Sequence, residues 1–449
     1  MKHLFSRLSP AQKIILSFLL VIFCGSLLLS LPWVQTASSQ AGYLDHLFTA
    51  VSMVCVTGLF TRSVVDTYNV WGQLLCMLLI QIGGLGILTF IGFFTMESRK
   101  KLSLKDRRIL RDSFSYGNNR TLGQFVRSIF ITTFTIEGLG ALLLMIRFIP
   151  KFGLRKGIFN SIFLAVSAFC NAGFDNFGND SILGFQTDVL VNITLALLII
   201  TGGLGFMVWF DLATKLGGKQ KGLHFHTKVV LLLTAGLLVF GTVTSLWTEY
   251  NNPGTIGNLS FGDKLLVSFF QTVSMRTAGF ASIDYTAARP VTLFIYLLQM
   301  FLGGAPGGTA GGLKITTFLV LLLFARKEIL GLPHTNMGRR TLSPQLVQKA
   351  FGVTVIFQLT FLLGLLALGL VTDSSHRFIY LIFETVSALA TVGVTANITT
   401  SLNTAGMIVI MLLMFIGRVG PLTLMVSLNH YQPKKAATLH YSKADIMIG

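Results

Sequence analysis

Four tripeptides carry the chemistry this sequence offers: Val56-Thr57-Gly58, Asn171-Ala172-Gly173, Thr277-Ala278-Gly279 and Thr391-Val392-Gly393. None holds a carboxylate, an imidazole or a cationic group, and all the side chains are small. What such a tripeptide presents to a neighbour is its main-chain carbonyl. Glycine enters positive φ without steric cost, so successive carbonyls can point the same way. Four strands built like this would stack rings of oxygens able to replace the water shell of a dehydrated cation. Each tripeptide closes a similar run: "AVSMVCVTGL" (Ala50 to Leu59), "AVSAFCNAGF" (Ala165 to Phe174), "TVSMRTAGF" (Thr272 to Phe280) and "TVSALATVGV" (Thr385 to Val394). One copy alone reads as a tight turn between packed helices; four copies at matching places read as one device.

A second group of residues interrupts an apolar run: Gly303, Gly304, Ala305, Pro306, Gly307, Gly308, Thr309, Ala310, Gly311 and Gly312, followed by Lys314. A phosphate cradle would need G-x-x-x-x-G-K-[ST], but here Leu313 separates Gly312 from Lys314 and Ile315 follows. Six glycines and Pro306 cannot sustain a helix. A loop lying across the path beneath the tripeptides satisfies both the kink and a gate. Arg418, in "MFIGRVGP", is an ionisable residue in apolar context, costly there unless it faces a cavity or a partner. Beneath the tripeptides its charge would repel cations until screened or moved. Arg276 precedes the third tripeptide and would defeat conduction if it faced the ions. It is expected to brace that strand from behind against a carboxylate, Glu384 first, with Glu137 as a further candidate.

The elements that must position these groups follow from composition. Of 449 residues, 52% are hydrophobic and 12% charged. A soluble surface needs roughly a quarter charged, so the chain is read as an integral membrane protein. Apolar runs come in pairs: 11–31 and 70–95, 128–149 and 188–212, 227–247 and 290–324, 350–371 and 405–427. Most are long enough to cross roughly 30 Å of hydrocarbon. Between the members of each pair lies a pore loop, at 44–59, 158–174, 263–280 and 379–394. Its apolar part is too short to cross and fits a helix that stops halfway. Non-helical backbone at that depth is tolerated where protein buries it or it lines a watery cavity. The half-helices would aim C-termini of about −0.5 charge each at a common axis, favouring cations. The expected fold is an all-α integral membrane protein of four parallel helix–pore-loop–helix repeats around a pseudo-fourfold pore. The repeats run 1–100, 101–215, 216–330 and 331–449, the last ending in a cytoplasmic tail.

The net charge of +18 fits this topology better than nucleic-acid binding. Lys2, Arg7 and Lys13, nine basic residues in Glu97–Arg127, four in Lys215–Lys228, five in Arg326–Lys349, and Lys434, Lys435 and Lys443 all fall on one side if the spans alternate. The positive-inside rule makes that side, with both termini, cytoplasmic. Arg147, Lys151, Arg155 and Lys156 stand against the trend in one opposite loop. Cys24, Cys55, Cys76 and Cys170 sit singly in apolar stretches, so neither a disulfide framework nor a metal site is expected. His224 and His226 read as solvated, and "GGLG" at Gly83 and again at Gly202 as close helix packing. The N-terminal run is longer than a signal core and is kept as a span. No Ser/His/Asp or Cys/His set assembles, which speaks against an enzyme.

The four-repeat plan and the endings "VTGL", "NAGF", "TAGF" and "TVGV" resemble the Trk/Ktr/HKT superfamily of K⁺ transporters over essentially the whole chain, and most of all the membrane subunits of bacterial Ktr systems. The resemblance implies channel-like K⁺ conduction in a bacterial cell membrane, residues 303–312 as an intramembrane gating loop, and Arg418 as its partner. It further implies a homodimer, a cytosolic nucleotide-binding ring as regulatory subunit, and Na⁺ as a candidate activator, with no cofactor bound by the chain itself. Only the fourth tripeptide keeps the Thr-Val-Gly of K⁺ channels, so fewer well-formed ion sites are expected than in a fourfold-identical filter. A secondary transporter with alternating access is the rival reading; it predicts intramembrane acidic residues at a midplane site, which are scarce here.

Overall fold

The structure, a computed structural model, describes residues 10–86, 122–178, 181–218, 220, 222–372 and 377–420. Much of the basic segment Glu97–Arg127 and the C-terminal tail lie outside the described residues.

The chain repeats one pattern four times: a long opening helix, a short helix, an irregular strand and a closing helix. The opening helices are α1 (Pro10–Leu29), α4 (Leu122–Phe152), α8 (Phe225–Glu249) and α12 (Pro344–Val371). Each contains a stretch long and apolar enough to cross a membrane unaided. Their outward faces show Leu20, Phe23, Leu142, Phe240 and Leu363, all exposed. In lipid such a belt carries no penalty, because the solvent there is as apolar as the side chains.

The short helices α2 (Tyr43–Val54), α5 (Leu154–Phe169), α9 (Phe261–Ser274) and α13 (Phe378–Leu389) are the most deeply buried elements. Their 12 to 16 residues rise about 18–24 Å, short of the roughly 30 Å hydrocarbon thickness. All four stop with the Ser-containing run and hand the chain to a tripeptide. The core is therefore built around the ends of the short helices rather than between the long ones.

The closing helices depart from the sequence reading. Four continuous second spans were expected, with a break only in the third. The structure breaks the second as well as the third, and the first and fourth helices end at corresponding glycines beyond which the chain lies outside the described residues. α3 (Val70–Leu85) ends at Gly86, α6 (Val189–Gly203) at Gly205, and α14 (Thr404–Val419) at Gly420, each glycine with φ between 82° and 90°. After Gly205 the chain re-enters helix as α7 (Phe206–Leu216), bent by 97° from α6. In the third unit, α10 (Pro290–Phe301) and α11 (Ile315–Ile329) are separated by the whole glycine-rich loop.

The breaks share a sequence cause, glycines three residues apart: Gly83 and Gly86, Gly202 and Gly205, Gly417 and Gly420. The second turns the chain through a φ that a side chain would oppose. The first lets the helix touch the end of its own short helix. A Cβ at Gly83, Gly202 or Gly417 would collide with the carbonyl of Val54, Phe169 or Leu389 respectively. The starts of the closing helices are capped by Asn69, Asp188 and Asn403, whose side chains accept from Gly72 N (3.2 Å), Val191 N (3.1 Å) and Gly406 N (2.8 Å). The third begins with Pro290, and the buried Glu249 accepts from Arg289 N at 2.9 Å.

Candidate functional site: four converging strands and a loop beneath them

The first residue of every tripeptide adopts positive φ, as does the glycine: Val56 (56°) and Gly58 (104°), Asn171 (59°) and Gly173 (68°), Thr277 (67°) and Gly279 (85°), Thr391 (52°) and Gly393 (95°). The sequence suggested this freedom only for the glycines. A β-branched residue in the left-handed region is strained by about 1–3 kcal/mol and persists only where its surroundings enforce it. The middle residue of each tripeptide is thus flanked on both sides by a residue at positive φ.

The strands meet in chain order around one axis. A Cβ on Gly58 would lie 2.7 Å from the Ala172 carbonyl oxygen, one on Gly173 2.7 Å from that of Ala278, and one on Gly279 2.7 Å from that of Val392. One on Gly393 would strike the Thr57 carbonyl, closing the ring. The middle residue of each strand thus points its oxygen at the preceding strand's glycine, and four oxygens surround the axis. No substituent on any of these glycines has room.

Two sets of brackets hold the strands, and neither was assigned from sequence. Behind the strands stand the serines of the four Val-Ser pairs. Ser52 Oγ accepts from Gly58 N (3.1 Å), Ser167 Oγ from Phe174 N (2.9 Å) and Ser387 Oγ from Gly393 N (3.0 Å), while Ser274 Oγ donates to Phe280 O (2.5 Å). In a trans peptide the N–H and the preceding C=O point oppositely. A Gly58 N–H turned back to Ser52 therefore sends the Thr57 carbonyl forward, and Ser387 does the same for Val392. Further out, a polar side chain of each short helix grips a residue just past the glycine. Thr61 Oγ1 donates to Asp45 (2.6 Å), Asn176 Nδ2 to Asn160 (2.7 Å), Gln271 Nε2 to Ser282 (2.7 Å) and Thr395 Oγ1 to Glu384 (2.6 Å). The recurring Val-Ser was visible in the sequence; its reach over six or seven residues became visible only once the strand curled back.

The buried charges are arranged differently from expectation. Arg276 and Glu384 do not meet. Glu384 is taken by Thr395 and Thr399, and the guanidinium of Arg276 reaches Thr234 Oγ1 at 3.4 Å with its Nε unpartnered. Both are buried, but Glu384 turns toward the outer end of its own strand, away from the third. Glu137 accepts from Gln81 Nε2 (3.0 Å) beside Cys170, so it too pairs with a neutral amide rather than Arg276.

The loop 303–312 seats against the inner ends of the strands. Gly311 N donates to Thr277 Oγ1 (3.0 Å), and Thr309 Oγ1 donates to Phe169 O (3.1 Å) and lies 3.3 Å from the Asn171 amide. A Cβ on Gly311 would collide with Thr391 Oγ1. The Thr391 and Thr57 hydroxyls are buried without a partner among the described residues. From the side, the loop is held by the break in the second closing helix, through Ala305 N to Gly203 O (2.9 Å), Thr309 N to Gly202 O (3.2 Å) and Phe206 N to Gly307 O (3.0 Å). Three consecutive loop carbonyls are capped by side-chain cations. Arg418 Nη1 donates to Thr309 O (2.5 Å), and Lys314 Nζ to Ala310 O (2.7 Å) and Gly311 O (3.4 Å). Arg418 Nη2 also bonds Gly83 O and Gly84 O, tying the loop to the first closing helix.

Beyond the glycines, on the side opposite the loop, a cavity of about 660 Å³ opens between the first and fourth units, lined in part by Gly58, Thr61, Asp45, Asp66, Gly393 and Thr395. On the loop side, Asp211 of α7 pairs with the His224 ring and accepts from His224 N (2.9 Å) and Gln220 Nε2 (3.0 Å), so His224 is a clasp as well as a largely exposed side chain. The four cysteines are all free thiols.

Comparison with known proteins agrees with this architecture. The family model described as "TrkH: Cation transport protein" matches residues 7–438. Ktr system potassium uptake protein B of Bacillus subtilis is 38% identical over 99% of this chain and 97% of its own length. Potassium/sodium uptake protein NtpJ of Enterococcus hirae is 38% identical over 100% of this chain and 99% of its own. The crystal structure of the potassium transporter TrkH from Vibrio parahaemolyticus superposes with a TM-score of 0.74 over 93% of this chain and 84% of that one, at 17% identity, a likeness of fold. With the family model spanning nearly its whole length, this chain belongs to the TrkH family of cation transport proteins, which are membrane transporters and not enzymes.

Proposed function

We propose that this chain is the pore-forming subunit of a bacterial K⁺ uptake system. It conducts K⁺ toward its basic, cytoplasmic side down the electrochemical gradient. One observation carries the reading: four strands with the same alternation of φ direct four middle-residue carbonyls around one axis. Rings of carbonyl oxygens replace an ion's water shell, and four short-helix C-termini add a field that favours cations. The loop 303–312, capped by Arg418 and Lys314, is the gate, and withdrawing it opens the inner mouth. The potassium uptake role of the relatives at 38% identity supports K⁺ as the ion, and the potassium/sodium uptake role of the Enterococcus relative brings in Na⁺ as a second ion or activator. The chain works as a homodimer, each copy with its own pore, beneath which a cytosolic nucleotide-binding ring governs the gate. Both termini lie in the cytoplasm.

The test is cation flux into proteoliposomes holding the purified chain, comparing K⁺, Rb⁺ and Na⁺, alongside Gly393→Ser. K⁺ and Rb⁺ flux that is lost or loses its preference in the variant supports the filter. Unchanged flux in Gly393→Ser would make the fourth tripeptide a packing turn and shift the weight to a carrier.

A further inference from the structure

The third strand is bracketed with opposite polarity from the other three. Ser52, Ser167 and Ser387 all accept from a backbone N–H at the strand they support. Ser274 donates, and its acceptor is the carbonyl of Phe280, the residue just past Gly279. That peptide plane is therefore turned with its oxygen behind the strand. Its orientation is fixed from the far side as well, because Ala281 N donates to Ser181 Oγ (3.2 Å) and Ala281 O accepts from Ile182 N (3.3 Å), both from the second unit. One residue further, Ser282 is held by Gln271, itself bonded by the Tyr285 hydroxyl at 2.6 Å. The corresponding carbonyls of Leu59, Phe174 and Val394 carry no hydrogen bond among the described residues.

Resting on the filter reading above, we infer that Ser274 is a specificity-setting residue: it holds the Phe280 carbonyl out of the ion path, so the outer level of the filter offers oxygens from three strands rather than four. A cation at that level keeps part of its water shell. Partial hydration weakens discrimination between ions that differ chiefly in the cost of losing water. The middle level keeps all four oxygens, the Ala278 carbonyl included. The asymmetry is thus confined to the outer end, and Ser274 acts on the ion only through the Phe280 peptide.

The experiment is the K⁺/Na⁺ flux ratio of proteoliposomes containing the full chain, for the parent, Ser274→Ala, Ser274→Thr and Ser387→Ala. Removing the Ser274 hydroxyl takes away one of the two bonds that fix the Phe280–Ala281 peptide, leaving Ser181, and lets its carbonyl turn forward part of the time, so the ratio should rise, by up to about fivefold, the worth of one hydrogen bond. Ser274→Thr keeps the hydroxyl and should stay at the parental ratio. Ser387→Ala frees an N–H, lets the Val392 carbonyl swing back, and should lower the ratio. A merely structural role would reduce both fluxes together and leave the ratio unmoved. Should Ser274→Ala fail to fold, Ser274→Cys, of nearly the same size and a weak donor, carries the same expectation. The parent and Gly393→Ser test the filter by themselves. Against a conducting parent, a Ser274→Ala or Ser274→Cys ratio that is unchanged or lowered overturns this inference and leaves the filter reading standing.

Discussion

Replacing Arg418 by alanine should raise basal cation flux, and the structure limits by how much. The guanidinium bonds three carbonyls, of which Gly83 O and Gly84 O belong to the first closing helix and only Thr309 O to the loop. On the gate reading, the part of the loop's hold that Arg418 supplies is thus one charge-assisted hydrogen bond, worth about 1.5–3 kcal/mol. Its loss shifts the loop toward withdrawal by about 10- to 150-fold. Lys314 still caps Ala310 and Gly311, and the backbone bonds to Gly202, Gly203 and Phe206 remain. The lower end of that range is therefore expected. The assay is Rb⁺ uptake by proteoliposomes without any cytosolic partner, with size-exclusion elution in detergent as the check on folding. Arg418→Lys, a point charge unable to span all three carbonyls, should fall between parent and alanine variant. A folded Arg418→Ala chain with flux at or below the parent would refute the argument, because the loop would then be held shut by something other than this arginine.

Four further outcomes follow from the packing. Gly202→Ala forces a methyl against the Phe169 carbonyl and to 2.8 Å from Thr309 Oγ1, and should destabilise the chain by about 1–3 kcal/mol, read as a lowered Tm; Gly138→Ala, whose Cβ meets nothing, should be neutral or stabilising by up to about 1 kcal/mol. Arg276→Met removes a buried cation that has no carboxylate partner among the described residues, and should leave Tm unchanged or raise it. Glu384→Ala leaves two threonine hydroxyls behind the fourth strand without an acceptor and should lower both Tm and flux. Asp211→Asn weakens the clasp to His224 and Gln220 midway along α7, and because α7 begins at the peptide that holds Gly307, it should increase the rate at which a cysteine placed at Ala310 is modified from the loop side.

Much of this architecture could be read before folding because it is written in composition and repetition. Apolar runs of about 20 residues announce spans, and four glycine tripeptides at equivalent places announce convergence. What escaped the reading is whatever depends on chain reversal. The partners of Ser52, Ser167, Ser274 and Ser387 lie close in sequence, yet they come into reach only because a non-glycine residue enters the left-handed region, which propensity argues against. The pairing of Arg276 with Glu384 failed for a related reason. Opposite charge is a poor guide where nearby hydroxyls already satisfy the carboxylate, as Thr395 and Thr399 do for Glu384. The breaks at Gly86, Gly205 and Gly420 were legible in principle as glycines three apart, but two of these pairs read equally well as simple close packing.

Those breaks bear on how force passes through the molecule. An unbroken helix is a stiff rod, and a rod running from the cytoplasm to the filter would convert any tug at its lower end into distortion of the oxygen rings. Here the hydrogen-bond ladder is interrupted at Gly86, Gly205, residues 302–314 and Gly420, just below the four strands. Each interruption is a point of compliance. The outer halves, anchored by Gly83, Gly202 and Gly417 on the short helices, stay in register with the strands whatever happens below. On the reading proposed above, a displacement of α7 or α11 is taken up at Gly205 and along residues 302–314, so the loop can move while the four strands keep their dimensions.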